Sequence, residues 1–274
     1  MTKIELMLFR LRKKLKGKLK REMVYPTYEK ALKFCSMKGY ENDDIINTVK
    51  IKTTNYRKAL RTAEYPIINV GIMPILQAIH KLGIYHRRIV VFDFGGADGI
   101  YYLQSRKCLK HDIELLWCVV ETAEMANAMK EFETDELKFF DSLSKAIEFC
   151  GHGPDIFHTS STIQYTLDPL YFLKQICNSE ARYLVFNRQS LNRNNYSLIT
   201  TQTSLLSWHG QGSLPANFDD KIVMYPHTNL SQTLFEEVLT EKYLIEFAYE
   251  DLSGVKNVNK EPIVGLCYFC ELKS

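Results

Sequence analysis

Long apolar runs are missing from this chain of 274 residues. No run approaches the ~20 residues that a membrane-spanning helix requires. Arg10 and Arg12 interrupt the apolar residues near the N-terminus, so the continuous apolar core of a signal peptide is absent. We therefore expect a cytoplasmic protein, either free or peripheral on the inner face of the cytoplasmic membrane.

Cysteine pairs suited to a metal or to a disulfide framework are also lacking. The seven cysteines are odd in number, and most lie within apolar runs, as is typical of buried thiols in a reducing compartment. Cys267 and Cys270 form one C-x-x-C pair, but no second pair completes four zinc ligands. We therefore expect no metal site.

Two common phosphate-binding signatures are absent as well. The sequence contains no G-x-x-x-x-G-K-[ST] loop, which cradles a nucleotide phosphate where it occurs. The dinucleotide pattern G-x-G-x-x-G, started at Gly95, fails at Ala97 and Ile100. A nicotinamide-dependent oxidoreductase is therefore a disfavoured alternative for this chain.

A glycine-rich turn is present, however, after the first long apolar and β-branched run. It has the spacing D-x-G-x-G-x-G at Asp93, Gly95, Ala97 and Gly99, with a small residue at the middle glycine. Glycine lets the backbone turn sharply and approach a ligand where a Cβ would clash. Glu121, at the end of the next apolar run, lies where a ribose diol needs an acceptor. Together they predict a nucleoside site rather than a turn without a ligand.

Strand-like and helix-like segments alternate from residue 88 onward. This alternation predicts a mostly parallel sheet with helices on both faces, closed by an antiparallel pair at its edge. The strands are expected at 88–94, 114–121, 137–140, 154–159, 182–187, 243–249 and 263–272, and the helices near 99–109, 122–132, 143–149, 168–178 and 231–240.

Two further stretches complete the organisation of the chain. Residues 26–83 are predicted to be helical, with one helix over Tyr28–Met37, a second opening at Asn42, and a third over Pro74–Leu82. Residues 190–230 fit no regular element, and a segment of that length is typically a lid or a binding insertion.

Four motifs carry a family resemblance: Phe92-Asp-Phe-Gly-Gly, Trp117-Cys-Val-Val-Glu121, Ser160-Ser-Thr-Ile-Gln-Tyr165 and Leu184-Val-Phe-Asn-Arg188. Through them the chain resembles the class I S-adenosylmethionine-dependent methyltransferases. It is most similar to a little-characterised bacterial family that is associated with surface-polysaccharide synthesis. The resemblance covers roughly residues 26–250.

The resemblance implies an α/β, Rossmann-like class I methyltransferase fold with a mostly parallel seven-stranded sheet and an N-terminal helical segment. We expect a basic amphipathic helix over residues 1–24 and a helical cap over residues 25–84. Residues 85–274 would form the S-adenosylmethionine-binding domain, with the insertion at 190–230.

For that cofactor, the resemblance implies that the glycine turn passes beneath the methionine and ribose, braced by Asp93. Asp141 would contact the adenine or instead cap the next helix, and these two interpretations stay open. Ser160 would lie near the sulfonium methyl or merely cap a turn. The predicted cofactor-binding residues are Asp93, Gly95, Gly96, Gly99, Glu121, Asp141, Ser142 and Ser160.

A sugar hydroxyl is a poor nucleophile at neutral pH and needs a general base. The candidate catalytic residues are His158, His209 and His227, although a single histidine is more often structural. Arg188 suits an anionic acceptor, with an ion pair to a neighbouring loop as the alternative. The predicted acceptor-binding residues are Gln164, Tyr165, Arg188, Gln202 and Tyr225, of which the aromatic ones could instead be core.

We therefore expect O-methylation of a sugar in a surface-glycan precursor (O-antigen, capsule or lipopolysaccharide), with a glycan or glycolipid acceptor at the cytoplasmic membrane face. A non-catalytic partner subunit with this fold is a second alternative. Nucleic acid is not an expected partner, because the basic excess is confined to one terminus. The sequence leaves the oligomeric state open.

Residues 1–22 hold nine Lys and Arg and two Glu, a charge of +7, so the other 252 residues carry −4. This basic segment also carries an apolar stripe at helical spacing. The pattern predicts a helix on an anionic membrane surface, or else a solvated arm or a helix packed on a partner subunit. The stripe residues are Ile4, Leu8, Leu11, Leu15 and Leu19.

Overall fold

The computed structural model describes residues 24–35, 42–65, 68–109, 113–251, 256–258 and 260–274. Residues 1–23 of the predicted N-terminal helix therefore lie outside the described residues, and so do residues 36 and 37 of the helix predicted over Tyr28–Met37. Within the described part of the chain, no helix is both long and apolar enough to cross a membrane.

The described strands belong to one mixed sheet. They are β1 (Arg88–Phe94), β2 (Glu114–Val120), β3 (Leu137–Phe140), β4 (Ile156–Ser160), β5 (Tyr183–Asn192), β6 (Leu198–Leu205), β7 (Ile222–Ser231), β8 (Tyr243–Glu250), β9 (Lys256–Val258) and β10 (Glu261–Leu272). Seven of them lie side by side in the order β3-β2-β1-β4-β5-β10-β8. The described helices are α1 (Tyr28–Leu32), α2 (Asp43–Thr62), α3 (Met73–Gly83), α4 (Ile100–Cys108), α5 (Ala123–Met129), α6 (Leu143–Cys150), α7 (Pro169–Asn178) and α8 (Gln232–Lys242).

The strand pairing confirms the predicted class I methyltransferase fold. β1 pairs in parallel with β2 and β4, β3 adds in parallel to β2, and β5 adds in parallel to β4. β10 then runs antiparallel between β5 and β8, which is the predicted closing pair. In β1 and β2 every residue after the first is buried, as expected of central parallel strands that are covered on both faces.

The two faces of the sheet bury two separate apolar cores, because successive side chains of a strand point to opposite sides. Val91 of β1 packs in the same core as Ile75 of α3. Phe92, the next residue, packs in the other core with Leu173 of α7 and Phe235 of α8.

Side-chain caps mark where several helices begin. Asn42 accepts a hydrogen bond from the Asp44 N–H and caps α2, the helix that was predicted to open there. Asp168 caps α7, where Pro169 occupies the first turn without needing a donor. The helix that begins at Tyr28 ends at Leu32, five residues before the predicted end at Met37.

The prediction that residues 190–230 fit no regular element is wrong. β5 continues to Asn192, and β6 and β7 form an antiparallel pair over this stretch. β7 also joins β5 in parallel, with Leu191 opposite Leu230. The polar composition of β6 disguises a strand, but its three threonines are β-branched and suit a pleated surface. We refer to β6 and β7 as the hairpin.

Candidate active site

Three non-glycine residues with left-handed backbone lie in or just after three neighbouring strands. Ala97 (φ 46°) follows β1, Ser161 (φ 57°) follows β4, and Arg188 (φ 53°) lies in β5. In the sheet, Phe94, Thr159 and Phe186 are register partners, so these residues share one edge. Such conformations cost about 1–3 kcal/mol each and concentrate at functional sites. This edge, at the carboxyl ends of the parallel strands, is the candidate active site.

The glycine turn after β1 is packed too tightly for side chains. A Cβ on Gly96 would lie 2.5 Å from the Asp93 carboxylate, and one on Gly95 would lie 2.1 Å from the Thr162 side chain. Gly95 and Gly99 both have φ of 70°. Asp93 therefore lies directly beneath the turn, in the position from which it was predicted to brace it. The part of these residues in cofactor binding stays a prediction.

Glu121, which is half-buried at the end of β2, is tied to the turn through hydrogen bonds. Its Oε1 accepts from the Ala97 N–H at 3.0 Å, and its Oε2 accepts from the Thr122 N–H at 3.1 Å. Burial raises the pKa of Glu121 to about 7, although these two hydrogen bonds oppose the shift. The residue at the middle glycine position thus joins the turn to the acidic side chain predicted to bind ribose.

A second carboxylate, which the sequence analysis missed, reinforces this negative charge. Asp98 is buried and accepts hydrogen bonds from Thr53 Oγ1 of α2 at 2.9 Å and from the Ile100 N–H at 3.2 Å. Burial raises the pKa of Asp98 to about 6, and the charge of Asp93 adds to the shift. The signal in the sequence was an acidic residue immediately before Gly99. Asp93, Asp98 and Glu121 together are the turn carboxylates.

His158 belongs to a wholly buried polar row that crosses four strands. Its Nδ1 lies 2.7 Å from Asp93 Oδ1, and its Nε2 accepts from Asn187 Nδ2 at 3.0 Å. Trp117 Nε1 donates to the other Asp93 oxygen at 3.1 Å, which extends the row to β2. With both ring nitrogens engaged and the side chain fully buried, His158 has no nitrogen to offer an acceptor. Its predicted role as a general base is wrong.

The other two candidate histidines lie inside the packing of the hairpin. His209 Nε2 lies 2.9 Å from Ser204 Oγ, and burial lowers the pKa of His209 to about 4. His227 is buried on β7, with its ring 5.2 Å from that of Tyr165. A histidine with so low a pKa is a weak base at neutral pH, so the predicted role of His209 as a general base is wrong. The predicted catalytic role of His227 stays a prediction.

The predicted acceptor-binding residues of the hairpin bind one another. Tyr165 OH donates to Gln202 Oε1 at 3.1 Å, and the Tyr165 ring meets the Tyr225 ring edge-on at 5.2 Å. Tyr225 is buried, and its hydroxyl lies 3.0 Å from Ser204 Oγ. Tyr225 is therefore part of the core, as the alternative for the aromatic residues predicted. The hydrogen bond between Tyr165 and Gln202 joins the segment after β4 to the hairpin.

Arg188 is exposed at the strand ends and is held by neutral partners. Its Nε and Nη2 donate to Ser160 Oγ at 3.3 and 3.1 Å, and the Tyr101 hydroxyl lies 2.9 Å from the same oxygen. Within the described ranges, no carboxylate forms a salt bridge with Arg188, so the ion-pair alternative is not observed there. Gln164 is buried nearby and donates to Ser161 Oγ at 2.7 Å.

Asp141 and Ser142 follow β3 at the opposite side of the site. Ser142 is the N-cap of α6 and accepts from the Lys145 N–H, so the proposal that Asp141 caps this helix is wrong. Asp141 is exposed and accepts from Lys145 Nζ at 2.7 Å, which lowers the pKa of its carboxyl. A contact of either residue with adenine stays a prediction.

Helix α2 and the hairpin join above this edge and form a cover. Lys52 Nζ donates to the Ser207 carbonyl at 2.8 Å, and Asn55 Nδ2 donates to the Ser213 carbonyl at 2.9 Å. A Cβ on Gly212 would lie 2.2 Å from the Lys52 carbonyl oxygen, so helix and loop are in close contact. Since Thr53 of the same helix binds Asp98, the cover reaches the glycine turn.

No protein-family model matches the sequence, and no curated protein matches it. Among solved structures, the chain is similar to an S-adenosylmethionine-dependent methyltransferase from Clostridium acetobutylicum (11% identity, 80% of this chain and 96% of that chain, TM-score 0.45). It is also similar to the CcbJ methyltransferase from Streptomyces caelestis (8%, 85% and 100%, TM-score 0.48). A third is the N-terminal domain of EvdMO1 in the presence of SAH and D-fucose (10%, 80% and 96%, TM-score 0.48). Because these identities are 8–11% and the TM-scores lie below 0.5, we infer the cofactor and the acceptor from the residues of this chain instead.

Proposed function

We propose that this protein is an S-adenosylmethionine-dependent methyltransferase. The observation that carries the proposal is the group of turn carboxylates, since three acidic side chains lie against the glycine turn: Asp93, Asp98 and Glu121. Lys52 offsets part of the charge at Asp98. A site with this surplus of negative charge favours a cationic nucleoside, and S-adenosylmethionine carries a sulfonium and an ammonium. The same charge repels the pyrophosphate of a nicotinamide dinucleotide, which argues against the oxidoreductase alternative.

The chemistry of Glu121 also fits a nucleoside. Each of its carboxylate oxygens holds one backbone N–H and retains a further lone pair for a ribose hydroxyl. The hydrogen bonds from Ala97 and Thr122 fix the orientation of the side chain before a ligand arrives. Gly95, Gly96 and Gly99 would bring the backbone close to the methionine and ribose.

In the proposed reaction, the cofactor supplies a methyl group on a positively charged sulfur, and that charge disappears on transfer. Catalysis then depends largely on positioning and on exclusion of water, to which the cover of α2 and the hairpin would contribute. Arg188 and Ser160 would hold the acceptor oxygen. A guanidinium beside a hydroxyl lowers the pKa of that hydroxyl, so the acceptor oxygen would lose its proton to solvent water as its bond to the methyl group forms and the sulfur–methyl bond breaks.

We further propose that the acceptor is an anionic sugar of a surface-glycan precursor, carried as a glycan or glycolipid. The exposed Arg188 guanidinium, with no carboxylate salt bridge in the described ranges, supports an anionic group at the strand ends. Attachment of residues 1–22 to the inner membrane face would bring the enzyme to such an acceptor. This attachment remains a proposal that rests on the sequence alone.

Titration calorimetry with S-adenosylmethionine, its demethylated product and NAD tests the cofactor. We expect both sulfur nucleosides to bind, and Glu121→Ala to weaken them by one to a few kcal/mol, about tenfold or more. Glu124→Ala removes an exposed carboxylate three residues away and is the matched control, with unchanged affinity. If neither sulfur nucleoside binds, the methyltransferase proposal is wrong.

A screen with labelled methyl donor tests the acceptor. We expect transfer to lipid-linked glycans that carry an acidic sugar or phosphate, and a large loss of transfer in Arg188→Met. Transfer to protein or nucleic acid would overturn the glycan proposal. Cofactor binding without transfer to any acceptor would favour the non-catalytic partner subunit.

A further inference from the structure

An apolar groove lies between the start of α3 and the end of β8. Its volume is about 450 Å³, within the range of about 300–1,000 Å³ that is typical of small-molecule pockets. Val70 and Met73 are 72% and 53% exposed, an unusual exposure for apolar side chains that share one groove. The residues that carry its shape are Val70, Met73, Pro74, Leu76, Phe247 and Tyr249.

One end of the groove meets the candidate active site. Gly71 lies between two lining residues, and its carbonyl accepts from Asn187 Nδ2 at 2.9 Å. A Cβ on Gly71 would lie 3.3 Å from the hydroxyl of Tyr101, which in turn lies 2.9 Å from Ser160 Oγ. On the other wall, Tyr249 OH donates to Asn187 Oδ1 at 3.5 Å. The groove is therefore separated from the ends of β4 and β5 only by the buried Gly71 and Asn187.

The shape of the groove suits a narrow chain. Val70, Met73 and Leu76 recur every third residue along one wall, a strip about 9 Å long at helical rise. Phe247 and Tyr249, two residues apart on one face of β8, form a strip about 7 Å long on the other wall. The groove is thus an elongated slot between a helical and a strand wall.

The polarity of the groove disfavours a sugar as its occupant. Among all seven lining residues, Tyr249 and Gln77 are the ones with a hydrogen-bonding side chain. A sugar ring buried there would leave hydroxyls without partners, which costs free energy. An alkyl or isoprenoid chain has no such groups and gains from the apolar walls.

We infer that this groove binds the alkyl or isoprenoid chain of a lipid-linked methyl acceptor. The inference rests on the proposed function, because it places the polar head of that acceptor at the methyl-transfer site. Arg188 adjoins the Tyr249 wall of the groove, because its backbone N–H donates to Cys267 Sγ at 3.2 Å and the same thiol contacts the Tyr249 hydroxyl. A phosphate or acidic sugar at the head of the chain would meet the Arg188 guanidinium.

Fluorescence titration with dansyl-labelled undecanoic acid tests the groove. We expect the probe to bind the full chain, and Met73→Arg, which places a charge on the wall, to weaken binding at least tenfold. The matched control is Ile84→Arg, since Ile84 is 65% exposed just beyond the far end of the same helix. This variant should bind the probe as the unmodified protein does.

Displacement of the probe by saturated fatty acids of increasing length adds a second measure. Affinity should rise about fourfold for each added methylene until the groove is full, because each buried methylene contributes ~0.8 kcal/mol. In Met73→Arg the rise should be absent or much shallower. A series without length dependence in the unmodified protein would overturn the inference.

Calorimetry with S-adenosylmethionine separates this inference from the proposed function. Met73→Arg should bind the nucleoside normally. An unmodified protein that binds the nucleoside but not the probe would refute the groove proposal alone. Loss of nucleoside binding in the unmodified protein would refute the proposed function. Equal weakening of the probe by Met73→Arg and Ile84→Arg would also refute the groove. Sedimentation adds a further check. If the unmodified protein is a dimer that does not bind the probe, and Met73→Arg makes it monomeric, the groove is a dimer interface and the groove proposal is wrong.

Discussion

Glu121 links three properties of the candidate site at the scale of a single residue. Its carboxylate accepts a hydrogen bond from the Ala97 N–H in the glycine turn and another from the N–H of Thr122, the residue before α5. Burial raises the pKa of Glu121 to about 7. A carboxyl with that pKa changes its charge within the physiological range, so its protonation must be coupled to the binding of any ligand that prefers one form.

Cofactor affinity should therefore depend on pH through Glu121. Ribose hydroxyls and a cationic nucleoside favour the ionised carboxylate, which predominates above a pKa of about 7. We expect the dissociation constant of the demethylated product to rise by up to about tenfold for each pH unit below 7, and to level off above pH 8. Calorimetry between pH 5.5 and 8.5 measures it. Glu121→Gln should flatten the profile, and an unchanged slope in that variant would assign the titration to another group.

Gly95 should be intolerant of any side chain. Gly95→Ala combines a φ of 70° with a Cβ placed 2.1 Å from Thr162, so it adds a collision to backbone strain. Gly151→Ala is the matched control, because Gly151 has a φ of 76° with nothing within 4 Å. We expect the control to lose about 1 kcal/mol of unfolding free energy, and Gly95→Ala to lose clearly more and to bind cofactor weakly. Urea unfolding and calorimetry measure the two effects, and equal losses would contradict the packing around Gly95.

At the scale of elements, α2 connects the hairpin to the glycine turn. It contacts the hairpin loop through Lys52 and Asn55 and the turn through Thr53, which donates to Asp98. The sequence indicated a helical cap and an insertion as separate features. Their hydrogen bonds make them one cover over the strand ends, and this contact requires segments more than 150 residues apart to meet.

Thr53→Ala should destabilise the cover. The substitution leaves the buried Asp98 carboxylate without its hydroxyl donor, at a cost of about 1–3 kcal/mol. Thr54→Ala is the neighbouring control. The hydroxyls of Thr53 and Thr54 each donate to a backbone carbonyl one turn earlier, but the Thr54 side chain is exposed. Denaturant unfolding should show a change within about 0.5 kcal/mol for the control. Equal effects of the two variants would mean that the bond to Asp98 contributes little.

At the scale of the whole molecule, the buried polar row of Trp117, Asp93, His158 and Asn187 joins four adjacent strands beneath the active site. It lies between the two apolar cores and the strand ends, with each member bonded to the next. Because an unpaired carboxylate is very costly in such surroundings, the row is expected to hold the strands in register rather than to move protons.

His158→Leu should therefore lower stability far more than it lowers catalysis. The variant removes the hydrogen-bond partner of Asp93 Oδ1 and of Asn187 Nδ2 within the buried row, and each buried polar group left without its partner costs about 1–3 kcal/mol. His152→Leu, at an exposed position before β4, should be nearly neutral. Thermal unfolding measures stability, and methyl transfer per mole of bound cofactor at low temperature measures catalysis. A folded His158→Leu protein that binds cofactor but transfers no methyl would restore a catalytic role to this residue.

The local sequence predicts the strands of this protein better than it predicts the active site. Six of the seven strands of the central sheet were placed to within two residues at each end, since each is marked by a local apolar run and by the turn that follows, whereas β5 continues five residues beyond its predicted end. β6 and β7 were missed, because polar, threonine-rich strands gain their stability from pairing with each other and with β5. Local periodicity contains no information about such pairing.

The sequence by itself determined the doubly covered sheet, the glycine turn and the acidic residue that follows the second strand. These features depend on runs of neighbouring residues and on backbone conformations that few residue types adopt. The tertiary structure alone decided which side chains are free to act. The three histidines are engaged or buried, Arg188 is exposed, and Asp98 joins the turn carboxylates. The physical reason is that burial and hydrogen-bond partners come from strands and helices far apart in the chain, and these set both pKa and access.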